Sequence, residues 1–270
     1  MQHSIPMTDA ARSALTVSEA FSALGNERFE ADGATFVRNR EIADIWDANH
    51  VAHVTAATPD EIDGLLARVE REFAGLDHRQ FRAEFTTPPA LEARLTLEGY
   101  QRTEELVMLL EGELHGQPKR HEIRPLTDDA GWQAYTALHD VDWREYKERM
   151  PDTGGFDEKT AEAMMRSRQL KTPPVRHWLA CVDGEPRAYL SSWGGVDGVG
   201  LVEDLFTHPD FRHRGLATAL IHHGVSEARR EGAGPVVIVA DTKDTPKRMY
   251  AALGFRPVAI KRDYLKRPGS

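Results

Sequence analysis

The stretch Val202-Glu203-Asp204-Leu205-Phe206-Thr207-His208-Pro209-Asp210-Phe211-Arg212-His213-Arg214-Gly215-Leu216-Ala217-Thr218 decides how this chain is read. An apolar strand runs into a His-Pro-Asp turn. A basic loop containing glycine follows and opens into the helical pattern Leu216, Leu220, Ile221, Val225. The first backbone N–H groups of a helix have no intrahelical acceptor, and they sit at the positive end of its dipole. Arg212 and Arg214 add charge, and Gly215 lets the backbone come close, so the stretch is built as an anion site.

Around it lie 270 residues, enough for one large domain or two small ones. Hydrophobic residues at 40% and charged residues at 29% give the balance of a soluble chain with a real core. The 43 acidic residues outnumber 34 lysines and arginines, and the formal net charge of -9 argues against general nucleic-acid binding and favours a cationic small substrate. A single cysteine, Cys181, excludes an intrachain disulfide and fits a reducing compartment. Its alternating strand context reads as burial rather than nucleophilic duty. There is no signal-like N-terminus and no apolar run near the roughly 20 residues that span a bilayer. The expectation is a cytoplasmic chain, monomer or homodimer, without nucleic-acid or membrane partners.

Residues 1–19 are mixed and short of large apolar groups, and read as a loose arm. Strand-like text covers 35–37, 43–46 and 51–55. Thr58, Pro59 and Glu61 then make a capping box, opening a helix whose apolar face is Ile62, Leu65, Leu66, Val69 and Phe73. A strand at 81–85, a helix begun by Pro88-Pro89 and a strand at 106–110 follow. Residues 112–119 read as a linker. A second cycle starts at His121, with a strand at Ile123 and a helix through Trp132, Tyr135 and Leu138. One or two more helices lie between Asp140 and Arg168. Strands at 178–182, 187–193 and 199–207 come next, with Asp183-Gly184 as a hairpin turn. A helix at 215–231, a strand at 236–240, a helix opened by Asp244-Thr245-Pro246 and a strand at 258–265 complete it.

The two cycles look alike. The first carries Leu95-Thr96-Leu97-Glu98-Gly99-Tyr100 and the second Tyr250-Ala251-Ala252-Leu253-Gly254-Phe255, and aligning Gly99 with Gly254 brings Pro89 near Pro246. This is the pattern of a diverged internal duplication. The copies differ where chemistry is expected. The helix that starts after Arg212-His213-Arg214 in the second copy starts with Pro59-Asp60-Glu61 in the first, where two carboxylates would repel a phosphate. Leu95 stands in the place of Tyr250. The first half reads as structural and the second as active.

Arg212-x-x-Gly215-x-Ala217, after an apolar strand and at a helix start, resembles the cofactor loop of the GNAT superfamily of acyl-CoA N-acyltransferases. Met249-Tyr250-Ala251-Ala252-Leu253-Gly254-Phe255 is similar to the family's Leu-Tyr-x-x-x-Gly-Phe near the C-terminus. The likeness covers residues 121–265 well and 29–112 as a degenerate copy. It implies an α/β fold (an α+β mixed sheet) of two tandem GNAT-like domains: 1–115, degenerate and structural, and 120–270, catalytic. It implies acetyl-CoA as co-substrate, with the pyrophosphate cradled by Arg212, His213, Arg214, Gly215, Leu216, Ala217 and Thr218. Leu205, Phe206 and Thr207 would splay from the next strand and pair with the pantetheine arm. The acetyl group would pass directly to the primary amine of a small molecule or peptide.

Such a transfer needs a base for the amine and an acid for the leaving thiolate. Glu203 and Asp204 are neighbours on a strand, so alternation points them to opposite faces and one meets the cleft. Glu203 is the expected base. Its place in Glu-Asp-Leu-Phe matches the acid that polyamine-acetylating members carry before this loop. Tyr250 is the expected acid in the family pattern, and a core tyrosine beside Leu253 is the structural alternative. Trp143 and Tyr146 fall where the family builds its acceptor wall, and are candidates to meet an amine by cation–π contact. One position departs: Lys243 stands where many members carry a cofactor-contacting asparagine, so this segment is not expected to bind the cofactor. His208, His213, His222 and His223 lack any metal-ligand spacing, and no metal is expected. The other function class left open is a non-catalytic acyl-CoA-binding or regulatory module.

Overall fold

The computed structural model describes residues 8–149, 157–243 and 245–267. The first half runs α1 (Asp9–Ala23), β1 (Glu27–Ala31), β2 (Ala34–Arg38), β3 (His50–Ala52), α2 (Pro59–Glu72), β4 (Arg79–Ala83), α3 (Pro89–Leu97) and β5 (Gln101–Leu110). The second runs β6 (Glu122–Pro125), α4 (Asp129–Arg149), α5 (Glu158–Leu170), β7 (Val175–Val182), β8 (Glu185–Val196) and β9 (Val199–Thr207). It closes with α6 (Leu216–Arg230), β10 (Val236–Asp241), α7 (Pro246–Ala252) and β11 (Arg256–Lys266). The expected loose arm at 1–7 and the Asp244 start of the helix at 246 lie outside the described residues, as do 150–156 between the two helices expected over 140–168.

Two expectations are corrected. From residue 8 the arm is helix α1, capped by the Thr8 side chain, which accepts the Ala11 N–H at 3.2 Å. Its apolar face is made of Ala14, Leu15, Val17 and Phe21, which pack on Trp193, Leu201 and Val237 of the sheet. Small residues carry much of that face, and they weigh little in a hydropathy reading. Residues 43–46 are not a strand; the chain makes two short 3-10 turns, Arg40–Ile42 and Trp46–Ala48. The buried Asn49 amide donates to the carbonyls of Ile42 and Ile45 at 3.1 and 3.0 Å and folds the segment back on itself.

The duplication is visible in the element order, since α2–β4–α3–β5 repeats as α6–β10–α7–β11. The ends of α3 and α7 match bond for bond. Tyr100 N–H donates to the Leu95 carbonyl at 3.0 Å, and Phe255 N–H donates to the Tyr250 carbonyl at 3.1 Å. Each turn needs a left-handed residue, supplied by Gly99 at φ 84° and Gly254 at φ 108°.

Among the described residues all strands join one 11-stranded mixed sheet in the order β1-β2-β3-β4-β11-β5-β10-β9-β8-β7-β6. Its centre is an exchange. The strand that ends the first half, β5, lies between β10 and β11, and the strand that ends the second, β11, lies between β4 and β5. Each half is thereby completed by the other. A core of Leu216, Leu220, Ile221, Val225 and Ile238 fills the α6 face, and a second core of Phe36, Leu65, Phe73 and Phe81 fills the α2 face.

Candidate active site

β9 pairs with β8 as far as Ala188↔Thr207, but with β10 only at Gly200 and Leu201. Beyond Leu201 the two parallel neighbours diverge. Leu205, Phe206 and Thr207 therefore lie on the open side of the sheet, where a strand-like ligand could pair with their backbone.

The pairing of β9 with β8 also slips between Tyr189 and Ser191, and Asp204 takes a left-handed φ of 57°. This is a β-bulge, and it cancels the alternation expected of Glu203 and Asp204. Contrary to the sequence reading, both side chains line one cavity of about 190 Å³. Their chemistry then separates. Arg168 donates to Asp204 at 2.9 Å and the Ser191 hydroxyl donates to it at 3.0 Å. Burial works against the Asp204 charge, but Arg168, Lys171 and His177 outweigh it and hold the carboxyl below its usual range. Glu203 has no such support. Burial first, then the carboxylates of Asp204 and Glu105, push it up to about 8, with Lys261 pulling the other way. One carboxylate is a fixed charge and the other titrates near neutrality.

The walls of this cavity come from both halves. Asp47, Arg82 and Glu105 belong to the first, and Lys261 and Asp263 to the exchanged strand β11. Arg82, 5% exposed, binds Asp47, Glu19 (3.3 Å) and Asp263 (3.3 Å). Lys261 pairs with Glu105 at 2.7 Å. None of these could be assigned to a site from sequence, because the partners lie up to 183 positions apart, as Gln80 and Asp263 do.

A larger pocket of about 890 Å³ adjoins the cavity through shared lining residues, Asp47, Glu105 and Arg168 among them. Trp143 and Tyr146 both line it, stacked at 5.2 Å between ring centroids and 7° between planes. His139 lies on the same wall, 1% exposed, with Nδ1 lacking a hydrogen-bond partner. Burial, then Arg168, lower its pKa to about 3, so it is neutral.

The α6 N-terminus matches its reading in backbone and departs from it in side chains. Gly215 is the N-cap at φ 92°, and no side chain caps the helix. A Cβ there would stand 3.2 Å from Cδ of Lys119, whose stem crosses the loop and brings a cation that the motif does not contain. Leu216 is buried under the helix, while Ala217 and Thr218 are half-buried in the first turn. His213 is left-handed at φ 61°. Arg214 lies over the Phe211 ring at 4.8 Å and donates to the Asp210 carbonyl at 3.2 Å. Arg212 forks onto Glu145 of α4, with one bond of 2.9 Å, and donates to the Thr207 carbonyl at 3.1 Å. It braces the end of β9 against α4. The matching helix start in the first half is closed: Thr58 Oγ1 accepts the Glu61 N–H, and Glu61 accepts the N–H groups of Thr58 and Ala57.

Tyr250 sits apart from the Glu203 cavity. It is 5% exposed in the core under α6, tilted against Phe255 at 6.3 Å and in one cluster with Leu216. The structure thus brings Glu203, Trp143 and Tyr146 to adjoining pockets, and Tyr250 to the side of the α6 start.

Residues 135–255 match the acetyltransferase (GNAT) family. Comparison with curated proteins finds no match. Among solved structures, the chain resembles a GCN5-related N-acetyltransferase from Kribbella flavida at 20% identity over 98% of both chains, with a TM-score of 0.69. A functionally unknown conserved protein from Staphylococcus epidermidis is similar at 14% identity over 90% of this chain and 94% of the other, with a TM-score of 0.67. A tandem GNAT protein from the clavulanic acid biosynthesis pathway is similar at 15% identity over 98% of both, with a TM-score of 0.57. At these identities the structural likeness speaks for the fold. Residues 135–255 are thus similar to the GNAT acetyltransferase family, on a fold shared along nearly the whole chain with a GCN5-related N-acetyltransferase and a tandem GNAT protein.

Proposed function

We propose that the chain transfers an acetyl group from acetyl-CoA to a primary amine, with residues 120–270 carrying the chemistry and residues 1–115 walling the acceptor side. The observation that carries this reading is Glu203. It is a carboxyl pushed up to about 8, on the strand that diverges from β10, beside an aromatic pocket wide enough for an acceptor. A carboxyl poised there can take the proton of an attacking amine as the pH rises through about 8, directly or through water.

The residues fit acetyl-CoA as a substrate. The uncapped N–H groups at Leu216, Ala217 and Thr218, with Gly215 and Lys119 beside them, suit a pyrophosphate. In this reading Arg212 shapes the loop through Glu145 rather than neutralising the phosphate itself. The acceptor nitrogen attacks the thioester carbonyl, its proton passes to Glu203, the carbon–sulfur bond breaks and the Tyr250 hydroxyl protonates the sulfur. Trp143 and Tyr146 hold the acceptor.

Release of CoA thiol is followed over a panel of amines, with acetyl-CoA binding measured beside it. Acceptor-dependent release is expected. Binding of acetyl-CoA with no release for any amine would favour the acyl-CoA-binding module instead.

A further inference from the structure

Lys171 caps the C-terminal end of α5 and is 7% exposed. A helix C-terminus favours a cation, but this one is buried and its neighbours are committed elsewhere. Asp47 and Asp263 bind Arg82, Asp204 binds Arg168, and Glu105 binds Lys261. Among the described residues the Lys171 ammonium makes no ion pair or hydrogen bond. It lies over the face of Phe21, 4.1 Å from the ring centroid. Burial lowers its pKa, with Asp47 and Asp204 working in the opposite direction and the cations Arg168 and Arg82 adding to the lowering. An ammonium has three donors and no acceptor, and here they are left to whatever occupies the cavity that Lys171 lines.

The side chain lines the cavity of about 190 Å³ that Glu203 also lines. Hydroxyl-bearing Ser18 and Ser22 of α1 and Ser167 of α5 stand on the same walls. A ligand with its amine at Glu203 and an anionic group at Lys171 must be short between the two, because the cavity is small. One unpaired positive charge offsets one negative charge. The nearby carboxylates would oppose a dianionic phosphate, so a carboxylate suits the site better.

We propose that this cavity binds the carboxylate of a short amino acid, an α-amino acid in the first instance, with Lys171 as its counter-ion and the amine directed to Glu203. This rests on the reading of Glu203 as the base of an N-acetyltransferase. The amino-acid side chain passes Met164 and Ile45, which line both spaces, into the larger pocket with Trp143 and Tyr146. Lys171 is then a specificity-determining residue, and the product is an N-acetyl amino acid.

The common L-α-amino acids are titrated against the full chain by calorimetry, each beside its own amide, and the same pairs are assayed for thiol release with acetyl-CoA. At least one acid is expected to bind tenfold or more tighter than its amide, and the gap is expected to close in Lys171→Met. In the wild-type protein labelled at lysine, that acid and not its amide should shift the Lys171 ammonium resonance, which keeps the test valid even where the variant fails to fold. Equal affinity of every acid and amide, a gap that survives in Lys171→Met, or an unmoved Lys171 resonance overturns the proposal. Turnover of amines with no gap removes the carboxylate site alone. A Lys171-dependent gap without turnover removes the acetyl-transfer reading and leaves the site.

Discussion

Glu203 and Asp204 show how one backbone angle sorts two carboxylates into different jobs. The bulge at Asp204 turns both into the cavity, where Arg168 fixes one as an anion and burial raises the other to about 8. Because the folded carboxyl titrates above its ordinary value, Glu203 is protonated below that pH and becomes a base above it. The wild-type kcat/KM is therefore expected to rise with pH through about 8. In Glu203→Gln the amine must lose its proton to solvent, so the rise moves to higher pH and steepens. An unchanged profile would reject Glu203 as the base. At Tyr250, replacement by Phe is expected to cut turnover about 10²-fold with little change in acetyl-CoA affinity; near-wild-type turnover would remove it as the acid. That Glu203 stands on the strand before the loop was legible in the sequence. The bulge was not, since nothing in Val-Glu-Asp-Leu marks a left-handed aspartate, and the pairing of Arg212 with Glu145 depends on a contact across 67 positions.

Among the elements, α2 and α6 make the clearest contrast. Both follow a strand and bury an apolar face, but α2 satisfies its own first turn through Thr58 and Glu61, and α6 leaves its first turn to be met from outside. The difference was readable from a few adjacent residues, because capping is local chemistry. Thr58→Ala is expected to cost about 1 kcal/mol of stability and to leave acetyl-CoA affinity unchanged; urea unfolding and calorimetry check the two halves of that statement. Elements whose form depends on distant partners were harder to read. The segment 43–46 has strand-like text and is folded into turns by Asn49, and α1 shows its character only against Trp193 and Leu201.

Over the whole molecule, Arg82 ties α1, the turn at Trp46–Ala48 and β11 through Glu19, Asp47 and Asp263. Removing it leaves three carboxylates facing one another at the seam between the halves. Arg82→Met is expected to lose about 3–5 kcal/mol of stability, and an unfolding midpoint close to wild type would show that the cluster relaxes instead. The seam also places Glu105 near Glu203, so a carboxylate of the first half helps raise the Glu203 carboxyl of the second.

The exchange of β5 and β11 governs what evolution can discard. A copy that has lost its ligand loop would ordinarily be free to disappear. Here its departure would strip the cover from Val236, Val237 and Ile238 on β10 and from the partner edge of β11, baring two unpaired ladder edges at the middle of the sheet. Residues 120–270 made alone are accordingly expected to aggregate, and to be rescued when residues 1–115 are co-expressed; a soluble, monomeric fragment would contradict this. On that expectation the first copy persists because its last strand completes the sheet of the second.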